Sequence, residues 1–342
     1  MRPLARSLAL ALVAIACGCA VAATKDGEER RVVREIRSRL SSGEGSIRAA
    51  IEAANADARP TRIVSRLTRG TVVYVFRELP AIVGRDVVVE GAGVVLRGDD
   101  CVRLDGRRGC SGLVVEGEKV TLRDISATGF LFDGVSVRGG HEVMIRDSRF
   151  FRNSDDGIGI SDAASGVTIE KCLLEDNGFR SKGKGVLVFD HSHAVLRENR
   201  IVGNRDGVTV SKRAHATLER NEIRDSYDKG LGIAGASADG AGNRILGSGA
   251  GRSSRGAGPN ADGLRVTIDS SVSLSDTVIS DSGDVGAVAA GRSRVDLVRP
   301  SFTGNRGGDL RVADDAVIVV DGREVRAEPE PNTPRAKDPR SR

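Results

Sequence analysis

The sequence predicts an all-β fold, a single-stranded right-handed parallel β-helix of about eight to ten coils of about 22–24 residues each, with a short N-terminal capping helix. Three observations carry this. Between Asp133 and Lys212 the chain repeats one unit: a charged residue, a glycine and a short strand, then a second strand (VMIRDSRF, VTIEKCLL, AVLRENRI) and a polar turn. Apolar positions fall into columns. Leu122, Ile145, Ile169, Leu196 and Leu218 lie 23, 24, 27 and 22 residues apart, and Leu274 and Leu297 resume the column at 23. A parallel column runs Phe150, Leu174, Ile201, Ile223, Ile245, Ile279 and Phe302. The Val/Ile-rich strands between Gly/Asp/Asn turns are too short for a sandwich at this spacing, but stacked coils bury every apolar column along one axis. The right hand follows from the rule for connections between parallel strands.

The elements follow in order. Residues 1–23 (MRPLARSLALALVAIACGCAVAA) have two arginines, an apolar run and a small-residue end, the pattern of a signal peptide, so the chain is expected to be exported: periplasmic, cell-surface or extracellular. Ala14-Ile15-Ala16-Cys17 resembles a bacterial lipobox without its leading leucine. A membrane association would therefore run through a lipid on Cys17 or Cys19. Residues 24–45 read as a charged linker. Ser46 is the expected N-cap of a helix with Ile47, Ile51 and Ala54 on one face, which would cover the first open edge of the solenoid. Residues 46–326 form the capped β-helix, interrupted at 177–185 and by a Gly/Ser/Arg-rich excursion at 247–262. The tail from 327 to 342 has four prolines and no apolar pattern, and reads as disordered. Cys101 and Cys110 are placed to pair in an oxidising compartment, whereas Cys172 falls in an inward column.

Composition bounds the function. A formal net charge of +5, two of its cations in the leader, is too small and too dispersed for nucleic acid. It is compatible with an anionic polysaccharide as partner, and the chain is expected to be a monomer. No P-loop, dinucleotide fingerprint, metal-spaced cysteine set or Ser/His/Asp pattern is present.

Chemistry collects at the residues that open the coils. Just before each opening glycine stand Asp133, Asp156, Lys184, Asp206, Lys229 and Asp262, and one position earlier Phe132, Asp155, Gly183, Arg205, Asp228 and Ala261. Stacked about 4.8 Å apart, these form a charged column beside a shallow groove over Ser136, Gly159, Thr209 and Gly232. Asn199, Asn221 and Asn243, each 22 residues after the last, read as an internal amide ladder.

Phe132-Asp133-Gly134, Ser154-Asp155-Asp156-Gly157 and Gly183-Lys184-Gly185 resemble the three successive motifs of polygalacturonases, within the pectin-lyase-like superfamily of right-handed β-helices. The aspartates match, Lys184 stands where that family has histidine, and the later Arg-Ile-Lys motif has no counterpart here. The resemblance implies hydrolysis of an acidic polysaccharide, with one of Asp133, Asp155 and Asp156 as general acid and the others activating water. The segment also resembles pectate lyases. That likeness implies Ca²⁺ held by Asp133 and Asp156, Lys184 as the substrate's cation and Arg205 as the base, although Arg146 stands where an aspartate is expected and Arg-x-Pro-x-x-Arg is absent. Asp190-His191-Ser192-His193 resembles, without its proline, the Asp-Pro-His motif of alginate epimerases. A structural reading stands beside all three: Asp–Gly is what a turn prefers, and Lys184 and Arg205 neutralise stacked carboxylates. On that reading the chain is a non-catalytic envelope solenoid that binds glycan or protein.

Overall fold

The computed structural model describes residues 31–103, 105–178, 183–249 and 260–327. The leader with Cys17 and Cys19, the tail beyond 327 and the centres of both interruptions lie outside the described residues. Each regular coil contributes one strand to a nine-stranded sheet and two to a 21-stranded sheet that bends between them. Pairing is parallel and in register from coil to coil, Ile145 with Ile169 with Leu196 with Leu218, and Phe150 with Leu174 with Ile201 with Ile223. These columns are fully buried, and one continuous core runs from Ile36 to Ile318. The Val/Ile pattern therefore builds the predicted solenoid.

Two corners in each coil share one device. A single residue in the left-handed region turns the chain, and the next residue points inward. At the first corner Asp147, Lys171, Glu198, Arg220 and Gly242 have φ between 51° and 68°. They precede Ser148, Cys172, Asn199, Asn221 and Asn243. At the second, Arg152, Asp176, Gly203, Asp225 and Gly247 have φ between 54° and 64° and precede Asn153, Asn177, Asn204, Ser226 and Ser248. A bend strips backbone groups of ladder partners, and these inward amides replace them. Asn199 Oδ1 accepts from the Cys172 N–H, Asn221 Oδ1 from Asn199 and Asn243 Oδ1 from Asn221, each at 3.0 Å. The second corner repeats this through Asn153, Asn177 and Asn204, a ladder the sequence reading missed. Cys172 occupies one rung of the first ladder, and burial pushes its thiol up to about 12.

Both ends are closed. The helix Ile47–Asn55 buries Ile47, Ala50, Ile51 and Ala54, and Ser46 Oγ accepts the Ala49 N–H at its start. Of the expected linker over 24–45, residues 24–30 lie outside the described residues, and the expectation is corrected only at 32–36. Val32–Ile36 is a strand paired in parallel with Thr61–Ser65, because the alternating pattern of VVREI matches TRIVS and Ile36 completes the core. At the far end Val317–Val320 pairs with an antiparallel strand, Arg323–Arg326. Cys101 and Cys110 form a disulfide beside the first regular coil.

Candidate functional site

The nine-stranded sheet positions the charged column. Its register pairs Val135 with Ile158, Ile158 with Val186, and Val186 with Val208. The residues two places earlier, Asp133, Asp156, Lys184 and Asp206, therefore stack on adjacent coils. Each coil passes its neighbour through a backbone contact: Asp133 Oδ1 accepts the Asp156 N–H at 3.3 Å, and Asp156 Oδ1 accepts the Lys184 N–H at 2.6 Å. Ser136, Gly159 and Gly232 are small for a reason the sequence left open. A β-carbon on Gly159 would stand 3.0 Å from Asp133 Oδ2, and one on Gly232 would stand 2.6 Å from the Lys229 chain. The expected groove is thus filled by the column's own side chains folding over those glycines. Gly183 is required too, since a β-carbon there would lie 2.3 Å from the Asp155 carbonyl.

Burial and mutual repulsion set the protonation. Desolvation pushes Asp133 up to about 6, and the charge of Asp155 adds to it; the Asp156 N–H, the Ser136 hydroxyl and Arg138 oppose the rise. Asp156, only 4% exposed, is held well above the ordinary carboxylate range by burial first and then by Asp133, with Lys184 opposing. Two such carboxyls behave as a pair that retains a proton near neutral pH. Lys184 is half-buried between Asp156 and Asp206, and its charge favours ionisation of both. Among the described residues its ammonium closes no ion pair within 4 Å, so it does not act as the salt-bridge partner of a single carboxylate. Lys229 does that for Asp206 and Asp228, at 3.0 and 3.4 Å. Arg138, on the same strand as Ser136 and bonded to its hydroxyl at 3.2 Å, joins the site; its place two residues beyond Ser136 was the signal for it.

The remaining candidates separate from this cluster. Arg205, expected as the base on the lyase likeness, has its guanidinium over the Tyr227 ring, 5.8 Å from the centroid. Asp190 and His191 form a two-residue left-handed turn at the opposite end of the Lys184 strand, with φ of 51° and 59°. His193 and His215 are neighbours on adjacent strands of the bent sheet, their rings 5.9 Å apart and tilted by 52°. Calcium does not fit Asp133 and Asp156. One oxygen of each is committed to a backbone N–H, a lysine adjoins them, and among the described residues no three acidic, His or Cys side chains gather to hold an ion. No step is therefore routed through a metal.

A raised carboxyl pair makes the stability of the fold pH-dependent. A carboxyl with a folded pKa above its unfolded value contributes its stability below the unfolded pKa of about 4 and loses it as pH rises through about 6. Asp133→Asn keeps an oxygen for the Asp156 N–H and removes the titration. Relative to the native chain it gains on the order of 2 kcal/mol between pH 4 and pH 8, discounted for partial exposure. Urea midpoints at the two pH values measure this, and an offset that does not change with pH would refute it.

The family model described as "Right handed beta helix region" matches residues 111–261, the coils that carry this column. The chain folds as a right-handed parallel β-helix. Among solved structures this β-helix is similar to an alginate lyase from Paenibacillus sp. str. FPU-7, at 13% identity over 83% of this chain and 98% of that one, with a TM-score of 0.53. It is also similar to the periplasmic alginate epimerase AlgG, at 12% identity over 77% of each chain and a TM-score of 0.49. The third is pectate lyase Pel9A, at 13% identity over 81% of this chain and 72% of that one, TM-score 0.47. At such identities the likeness is one of fold. No curated protein sequence matches. Among the described residues of this β-helix, no helix is long and apolar enough to cross a membrane.

Proposed function

We propose that this β-helix is an exported protein that binds an acidic polysaccharide and hydrolyses it at Asp133, Asp155, Asp156 and Lys184. The observation that carries the reading is the carboxyl pair on adjacent coils, raised by burial and by neighbouring carboxylate charge, beside an ammonium that closes no ion pair among the described residues. The protonated member of the Asp133/Asp156 pair serves as general acid to the glycosidic oxygen. Asp155, on the turn that opens the same coil as Asp156, activates water, and Lys184 receives a uronate carboxylate. Inversion suits carboxyls about 6.5–9.5 Å apart, a separation that neighbouring coils allow. Export rests on the leader pattern and on a disulfide that persists in oxidising compartments. The non-catalytic solenoid stays as a second reading because Asp133 and Asp156 also serve as coil-to-coil acceptors.

The test is incubation of the mature protein with polygalacturonate, pectin and alginate, with calcium or with a chelator. Hydrolysis gives new reducing ends without unsaturated uronates, equally in both conditions. Unsaturated ends that require calcium would replace this reading with β-elimination. Silence on every glycan would leave the binding solenoid.

A further inference from the structure

A surface depression of about 1080 Å³ lies on the bent sheet near the N-terminal end. Val72, Val95 and Phe151 contribute apolar surface, and Arg97, Asp99, Asp100, Arg108, Arg152 and Asp176 bring three cations and three anions to its rim. A smaller recess of about 210 Å³ shares Arg97, Asp99 and Asp100 with it, so the two form one trough. That recess is lined by Tyr74 and Phe76, which are 49% and 62% exposed. Their rings lie 6.1 Å apart and only 12° from parallel, and the Arg97 guanidinium sits 5.9 Å from the Tyr74 centroid. Leu40, 70% exposed, bridges to Tyr74 on the neighbouring strand.

Among the Tyr and Phe side chains of the described residues, Tyr74 and Phe76 are the ones that stand exposed. The chain has ten Tyr and Phe residues and no Trp, yet two of the ten stand side by side in the open. Exposed apolar groups that cluster within a polar rim mark a binding surface. Flat rings bordered by Arg and Asp side chains have the chemistry of a pyranose site: ring C–H faces rest on the aromatic faces, and hydroxyls bond to guanidinium and carboxylate at the edge. The balanced rim argues against a nucleic acid, which needs an excess of cations. The trough runs along the coil axis, crossing the strands Val72–Tyr74, Val87–Arg97, Thr121–Thr128 and Arg149–Phe151. At about 4.8 Å per coil it is roughly 15–20 Å long, near the repeat of three or four sugar units. Its wall includes Ser154, the residue before Asp155.

We infer that this trough is a second, non-catalytic glycan-binding site, which holds a stretch of polysaccharide with its sugar faces on Tyr74 and Phe76. The choice of a uronate-containing chain rests on the function proposed above; the stacking platform itself does not. Arg108, exposed and without an ion pair among the described residues, is the cation available to a uronate carboxylate.

Calorimetric titration of the full mature chain with short oligogalacturonates, oligoalginates and neutral cello-oligosaccharides tests the site. Tyr74→Ala combined with Phe76→Ala should weaken binding at least tenfold, while Tyr74→Phe stays within about twofold. Because both rings are exposed, the thermal midpoint should stay unchanged. Asp156→Asn should leave this binding intact even where it abolishes cleavage, which separates this inference from the proposed hydrolysis. The inference is overturned if the double variant binds as tightly as the native chain or if no oligosaccharide binds. A double variant that loses stability with its glycan binding unaltered would equally overturn it and identify the rings as a packing surface for other parts of the chain.

Discussion

Asp156→Asn lowers the rate of glycan cleavage by about 10²–10⁴-fold, the range expected when a general acid or its partner is removed. Asparagine retains an oxygen for the Lys184 N–H, so the coil-to-coil contact at 2.6 Å survives and the fold is not the variable. What disappears is the Asp156 acid itself, because burial and the charge of Asp155 still hold Asp133 raised. The loss should appear in kcat, with KM little changed, because the group acts on the leaving oxygen in the transition state. Residual activity should also lose the limb of its pH profile that reports the acid. Activity that persists at the native level in this variant would remove the column from the mechanism.

Asn177→Leu destabilises the protein by about 3–5 kcal/mol. Asn177 is fully buried; its Oδ1 accepts from the Asn153 backbone N–H at 3.0 Å and from Asn153 Nδ2 at 3.1 Å, and its Nδ2 donates to the Phe150 carbonyl at 3.0 Å. Leucine is close in size but strands these groups away from water, at a cost of about 1–3 kcal/mol each. Because a solenoid couples mainly to nearest neighbours, the damage should be local. Amide exchange should accelerate most in the coils on either side, around Phe150 and Ile201. A urea midpoint equal to that of the native chain would show that the ladder is dispensable.

The apolar columns were legible because burial demands Val, Ile and Leu at fixed intervals. The first ladder was legible because three successive rungs are asparagine. The second was not: its column runs Asn153, Asn177, Asn204, Ser226, Ser248, Ser282, Asn305, so no single residue type repeats, and the three serine hydroxyls close no hydrogen bond among the described residues. The left-handed corner residues were equally hidden, since Asp, Lys, Glu and Arg fill positions where glycine would have announced the turn. At the candidate site, the stacking of Asp133, Asp156 and Lys184 followed from spacing alone. That their carboxyls share an enclosed space, with Gly159 making room, required side-chain packing. The strand Val32–Ile36 escaped notice because three charged neighbours hide two alternations of a pattern completed only at Thr61–Ser65. The aromatic trough joins Tyr74 to Asp176 across about a hundred residues, beyond any local pattern.

The reversed final strand bears on how long such a rod can grow. Parallel coils leave at each end a row of N–H and C=O groups that would accept another coil of either the same molecule or another. Arg323–Arg326 occupies that row in the opposite direction and sets Arg323, Glu324 and Arg326 on its rim. A further parallel coil finds neither the polarity nor the apolar footing it needs along Val317–Val320, so parallel addition at that strand is refused.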